Sequence, residues 1–204
     1  NIKVYAGITP VSVGGDSLGG TIQIESAAPE FAGIGQGNLV KGQIGAFYRS
    51  NGNVLGANAE AILASENLNL TYTGSTVNAD NYKAGGNFKP AGLAAPGQGW
   101  LGGDVVGSSA YEVTNQSLGI AYRMDNHLLT AKVDVQNSPY EGFPNQRMDM
   151  TDNENTLVNL GYRGEYQWGF LEARTYHQTT HHEVQFGDDK QYYYGTPATI
   201  PGMP

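Results

Sequence analysis

The residues best suited to chemistry gather in the last third of the chain. His177, His181 and His182 place three imidazoles within one short segment, and neutral imidazole is a common transition-metal ligand. On an extended strand, positions 177 and 181 share a face while 182 points to the other, so all three converge only across a bulge or turn. Met148 and Met150 flank Asp149, and this spacing in an extended segment directs both thioethers one way. Thioethers are soft donors that favour Cu(I), and imidazoles combined with thioethers suit copper. The plainer alternatives are hydrated side chains at a strand end for the histidines and loop packing for the methionines.

A second group is aromatic. Tyr192, Tyr193 and Tyr194, with Tyr140, Phe143 and Trp100, offer flat faces on which an organic metal chelator could stack; interfacial belts and loop packing account for them equally well. Asp152, Glu154, Asp188 and Asp189 are candidate calcium contacts or solvated loop charge. There is no nucleophile motif, no phosphate loop leading into a helix and no carboxylate pair in a credible cleft, so the expectation is a protein that is not an enzyme.

Composition narrows the class. The 204 residues carry 11 Lys+Arg against 19 Asp+Glu, a formal net charge of −8, with no basic cluster. Nucleic acid is therefore not an expected partner, because its phosphates require a basic footprint. Cysteine is absent, which excludes both a disulfide framework and a thiolate metal site within this span. Glycine is abundant at 29 and Tyr, at 13, far outnumbers Trp, at 2, a usage that suits many strands with tight turns. No apolar run approaches the roughly 18 residues of a transmembrane helix, which leaves a membrane barrel open because its strands are only half apolar. Asn1 opens directly into a strand-like segment, so no signal peptide is expected within the chain. Its start and its Pro-rich end read as cuts through a longer protein.

The elements that would position these residues read as strands. Ile2 to Tyr5 and Thr21 to Glu25 bracket a Gly-rich stretch with glycines at 14, 15, 19 and 20, which implies tight reversals. After a polar linker, period-2 alternation recurs at 40–49, 55–64, 68–77, 115–123, 128–136, 156–164 and 170–182. Leu129, Ala131, Val133 and Val135, set against Thr130, Lys132, Asp134 and Gln136, give the cleanest case. The polar faces hold full charges and the opposite faces hold only apolar residues, Gly, Thr and Tyr. Connections near 65–67, 125–127 and 165–169 are short, whereas 78–112, 138–155 and 183–204 are long; Asn51-Gly52-Asn53 is a hairpin signal on the long side. Alternating short turns and long loops fit an outer-membrane barrel better than a soluble sandwich, the other architecture that alternates.

The run from Ala6 to Ile22, with its Gly14-Gly15-Asp16-Ser17-Leu18-Gly19-Gly20-Thr21-Ile22 close, resembles the end of the plug domain of TonB-dependent outer-membrane receptors, and the strands from about residue 39 resemble the first strands of their barrel. Phe47 to Asn53 and Pro139 to Asn153 resemble the copper-receptor branch. The resemblance implies an all-β chain: a plug end and linker over 1–36, then about seven antiparallel strands of a larger plugged barrel over 37–204. It further implies a bacterial outer-membrane location, contact with outer-membrane lipid, and coupling to the TonB complex through parts of the protein outside this chain. The implied function is energy-coupled uptake without a resident cofactor, with copper ahead of a ferric siderophore as cargo. Met148, Met150, His177, His181, His182, Tyr140, Phe143 and Trp100 are the candidate ligand-binding residues. Among them Met148, Met150 and His182 are the candidate metal ligands. The branch pattern expects His-x-Met where the chain reads His182-Glu183-Val184. The alternative from another class is a β-sandwich adhesion or carbohydrate-binding module.

Overall fold

The computed structural model describes residues 2–9, 13, 17–24, 27–93, 100–146, 148–186, 192–193 and 196–197. The chain divides into two units, Asn1–Glu30 and Phe31–Pro204. In the first, β1 (Ile2–Ala6) pairs antiparallel with β2 (Gly20–Ile24), Val4 opposite Ile22 and Tyr5 opposite Thr21. The Thr9 and Thr21 hydroxyls hydrogen-bond at 2.8 Å and close the chain onto the hairpin. Gly14, Gly15 and Asp16 lie outside the described residues.

The second unit is dominated by one sheet of seven strands: β3 (Leu39–Arg49), β4 (Val54–Ala64), β5 (Leu68–Ala79), β8 (Tyr111–Met124), β9 (His127–Glu141), β10 (Met148–Tyr166) and β11 (Gly169–Phe186). Every neighbouring pair is antiparallel and the spatial order is the chain order. Two-residue strands β6 (Gly92–Leu93) and β7 (Trp100–Leu101) pair within the connection between β5 and β8. A last such pair is β12 (Tyr192–Tyr193) with β13 (Thr196–Pro197). Except at 80–110, each alternating segment meets the next through a turn too short for a crossover, so those consecutive strands must pair, and β5 and β8 pair antiparallel across the long connection as well.

Register fixes two faces. One row runs Val158, Val133, Leu118, Tyr72, Ala61, Gly42, and the next Leu160, Ala131, Ile120, Leu70, Leu63, Val40. The opposite face carries Gln178, Leu157, Asp134, Ser117, Thr73, Glu60 and Gln43 in one row. The apolar face is open: Ile44 is 87% exposed and Leu160 51%.

Three sequence boundaries need correction. The expected loop over 138–155 contracts to 142–147, because β9 continues to Glu141 and β10 begins at Met148. Polar side chains on both faces hide the alternation there, yet the backbone ladder continues. The loop expected from 183 begins only after Phe186 for the same reason. The linker expected within 1–36 divides at Glu30, since the segment after it is fastened to the sheet: Ala32 N–H donates to the Ser65 carbonyl at 3.0 Å and the Arg123 guanidinium lies 4.4 Å from the Phe31 ring centroid. Among the described connections, the contrast between ends therefore rests mainly on 80–110.

Candidate functional site

The sheet's seven strands are unequal, and the longest hairpin carries the candidate residues. A strand of 9–11 residues crosses a bilayer, whereas β10 has 19 residues and β11 has 18. The surplus lies at the end away from the 125–126 and 167–168 turns. Met148, Met150, His181 and His182 sit there.

A β-bulge sets their facing. Between Met150 and Asp152 the β10–β11 register shifts, so Thr151 is the extra residue. The shift pairs Met148 with Phe186 and Met150 with Val184, while Asn153 pairs with His182. Met148 and Met150 thereby stand on the same face as His182; without the bulge the methionines would face the other way, because one residue of slip inverts a strand. Thr151 bears the consequence: its hydroxyl is buried with no hydrogen-bond partner.

Asp149 faces the opposite way and is fully buried. Its carboxylate accepts from the Ser108 hydroxyl at 2.6 Å, the Tyr140 hydroxyl at 3.2 Å and the Phe143 N–H at 2.8 Å. One carboxylate thus joins β10, the 142–147 turn and the 80–110 segment. Gly142 is needed at this junction because a Cβ there would overlap the Ser108 carbonyl. The 80–110 segment is further held by Asn81, whose Oδ1 accepts from the Ser109 and Ala110 N–H groups at 2.8 and 2.9 Å. Asn51 exchanges two hydrogen bonds with the Lys83 backbone, at 2.9 and 2.7 Å.

The polar face leads toward this end through a ladder of amides. Asn115 reaches Ser75 at 3.4 Å, Gln136 reaches Asn115 at 2.8 Å, Asn153 reaches Gln136 at 3.3 Å, and His182 Nδ1 lies 3.3 Å from Asn153 Oδ1. Beside it, Gln178 and Thr180 both donate to Asn155 at 2.9 Å. An open depression of about 500 Å³ on this face is lined by Glu60, Thr73, Asn115, Lys132, Asp134 and Gln136, among others. Lys132 and Asp134 form an ion pair at 2.8 Å.

The sequence candidates therefore separate. Met148, half-exposed, shares a face with Met150 and His182, but Met150 is only 5% exposed. His177 and His181 stand on the other face, opposite Val158 and Glu154. His181 Nε2 lies 3.8 Å from Asp152 and 3.6 Å from Glu183. No group of three or more His, Cys, Asp or Glu poised to hold a metal occurs among the described residues. The Tyr140 hydroxyl and the Phe143 backbone N–H hydrogen-bond Asp149, and Trp100 is exposed in the separate β6–β7 pair. Tyr194, Asp188 and Asp189 lie outside the described residues. Sequence reasoning missed Asp149 and Ser108. The available signal was a carboxylate between two methionines with Tyr140 nearby to satisfy it; Ser108, 41 positions away, gave none.

No family model and no curated protein matches the sequence. Among solved structures the fold matches "Copper transporter OprC" with a TM-score of 0.70 over 87% of this chain, at 18% identity. The chain spans 24% of that transporter's length. At this identity the likeness establishes fold: the seven-stranded sheet is a section of an antiparallel barrel wall.

Proposed function

We propose that the chain is part of a TonB-dependent receptor of the bacterial outer membrane, built for energy-coupled uptake of a scarce ligand, with copper the favoured cargo. The observation that carries the membrane reading is the open apolar face. Leu, Ile, Val, Ala and Tyr side chains run in register across the meander, and Glu60, Asp134, Lys132 and Arg163 occupy the reverse. Water penalises such a surface at about 25 cal/mol per Å², whereas lipid satisfies it. A β-sandwich module would need a second sheet against that face, and the other sheets among the described residues are two-stranded.

Two observations support copper as cargo. The bulge at Thr151 turns two thioethers toward the His182 face, a donor set that suits copper. The matched barrel belongs to a copper transporter. Uptake needs no covalent chemistry on the part of this chain. Cargo bound at the outer end and a plug moved by TonB are enough, provided the two plug states bind the cargo differently.

The test uses the full-length protein. A spin label at Val133 should show lipid-like oxygen access and one at Lys132 should not; the reverse result inverts the register and removes the barrel reading. A copper titration is then compared with that of Met148→Ala and His182→Ala. Weaker binding in both supports the assignment, and unchanged affinity removes this face from the cargo site.

A further inference from the structure

The second unit is tied down from its first residues. It begins at Phe31, whose ring lies 4.4 Å from the Arg123 guanidinium, centroid to Cζ. Ala32 is buried and donates its N–H to the Ser65 carbonyl at 3.0 Å. The Gln36 N–H donates to the Gly33 carbonyl at 3.0 Å, which folds the segment on itself, and the Gly35 N–H donates to the Glu66 carboxylate.

The receiving side is built from the 65–67 turn and the end of β8. Arg123 donates from its guanidinium to the Glu66 carbonyl at 2.7 Å and from its backbone N–H to the Asn67 carbonyl at 2.7 Å. The Asn67 side-chain amide returns a hydrogen bond to the Arg123 carbonyl at 2.9 Å. Ser65 closes the turn: its N–H donates to the Leu68 carbonyl at 2.7 Å, and its hydroxyl accepts from the Leu68 N–H at 3.1 Å. Ala64, Asn69 and Ala121, neighbours across β4, β5 and β8, are buried at the same end of a sheet whose faces are otherwise largely open. Arg123 is the hub, since one residue holds the ring of the segment and the main chain of the turn.

Position in the chain decides what this knot can do. Residues 31–36 lie between the first unit and β3, so a pull on the first unit reaches Leu39 only after the knot opens. Alone, β3 is poorly placed to resist such a pull, because its rungs, beginning with Leu39 opposite Ala64, would be loaded one after another from the strand end. The knot divides the load among a ring contact and two backbone N–H groups held by three residues, Arg123, Ser65 and Glu66. Each such contact is weak singly, and the strength comes from sharing.

We propose that residues 31–36 are a mechanical anchor, fastened to the 65–67 turn so that force drawn on the N-terminal unit is taken up there and the β3–β4 ladder stays closed. The proposal rests on the receptor reading above, in which TonB supplies the force, and adds where along the chain that force stops.

Single-molecule pulling on the full-length protein in a lipid bilayer tests this, with the handle attached N-terminal to Asn1. The wild type should show a stop once the chain before Phe31 is extended, with its own force peak. Arg123→Ala and Phe31→Ala should each move that stop to Leu39, lengthening the extension by residues 31–38, about 26–29 Å at about 3.3–3.6 Å per residue. Phe31→Ala leaves the hydrogen bonds of the turn itself intact, so it decides the matter where Arg123→Ala does not assemble. An unchanged stop in the assembled variants overturns the anchor, as does a wild-type trace without one. Copper uptake by cells with and without TonB keeps the two readings apart. Uptake that does not depend on TonB overturns the receptor reading and the anchor's role with it. TonB-dependent uptake alongside an unchanged stop overturns the anchor alone.

Discussion

The two faces of the sheet reverse the distribution that a water-soluble protein shows. On one face large aliphatic side chains stand open, while among the described residues the largest fully buried side chains are polar: Asp149, Asn69, Ser108 and Ser138. In water the first arrangement would drive association and the second would need every polar atom paired. Three of these are held by hydrogen bonds at the loop end and Asn69 accepts from Thr71 beside the 65–67 turn, and the apolar surface is arranged for contact with something other than the chain's own core.

The sharpest way to break the comparison is to put the same charge on each face. Val133→Arg, on the open face, should destabilise the full-length protein in bilayers by about 2–4 kcal/mol, and Thr73→Arg, on the polar face, by far less. Denaturant titrations in vesicles read the difference, and equal costs would erase the distinction between the faces. Next in size is Asp149→Ala, which removes the acceptor of the Ser108 hydroxyl and of the Phe143 N–H. The expected loss is about 1–3 kcal/mol, together with faster proteolysis at both 80–110 and 142–147. Cleavage enhanced in only one segment would show that Asp149 does not join them.

Gly142→Ala addresses the same junction through the backbone. The added methyl meets a main-chain carbonyl, so a cost of about 1–3 kcal/mol is expected. A crystal structure of the variant should show the 142–147 turn displaced from Ser108. The smallest effect belongs to the polar face: Lys132→Met removes a partly exposed ion pair and should change stability by no more than about 1 kcal/mol. A larger loss would show that this face is dry rather than hydrated.

Much of the sheet was legible in the sequence. Alternation at 128–136 placed Leu129, Ala131 and Val133 on one face, and the structure pairs them with Tyr122, Ile120 and Leu118. The strand extensions at Ser138–Glu141 and Met148–Asn155 were not legible, because strands whose two faces are both polar show no hydrophobic period. The site was legible in part. The opposed facing of His177 and His182 follows from strand geometry alone. The facing of the methionines does not, since it depends on one extra residue at Thr151, and bulges leave little trace in composition.

By itself, then, the sequence determined the class of secondary structure, the order of strands and which side chains share a face through the apolar band. Those depend on a two-residue period and on short turns, both local properties. Only tertiary structure decided which polar residues are buried, because Asp149 reaches Ser108 across 41 positions of chain. It also decided that Met148 and Met150 share a face with His182, because that depends on where the ladder slips.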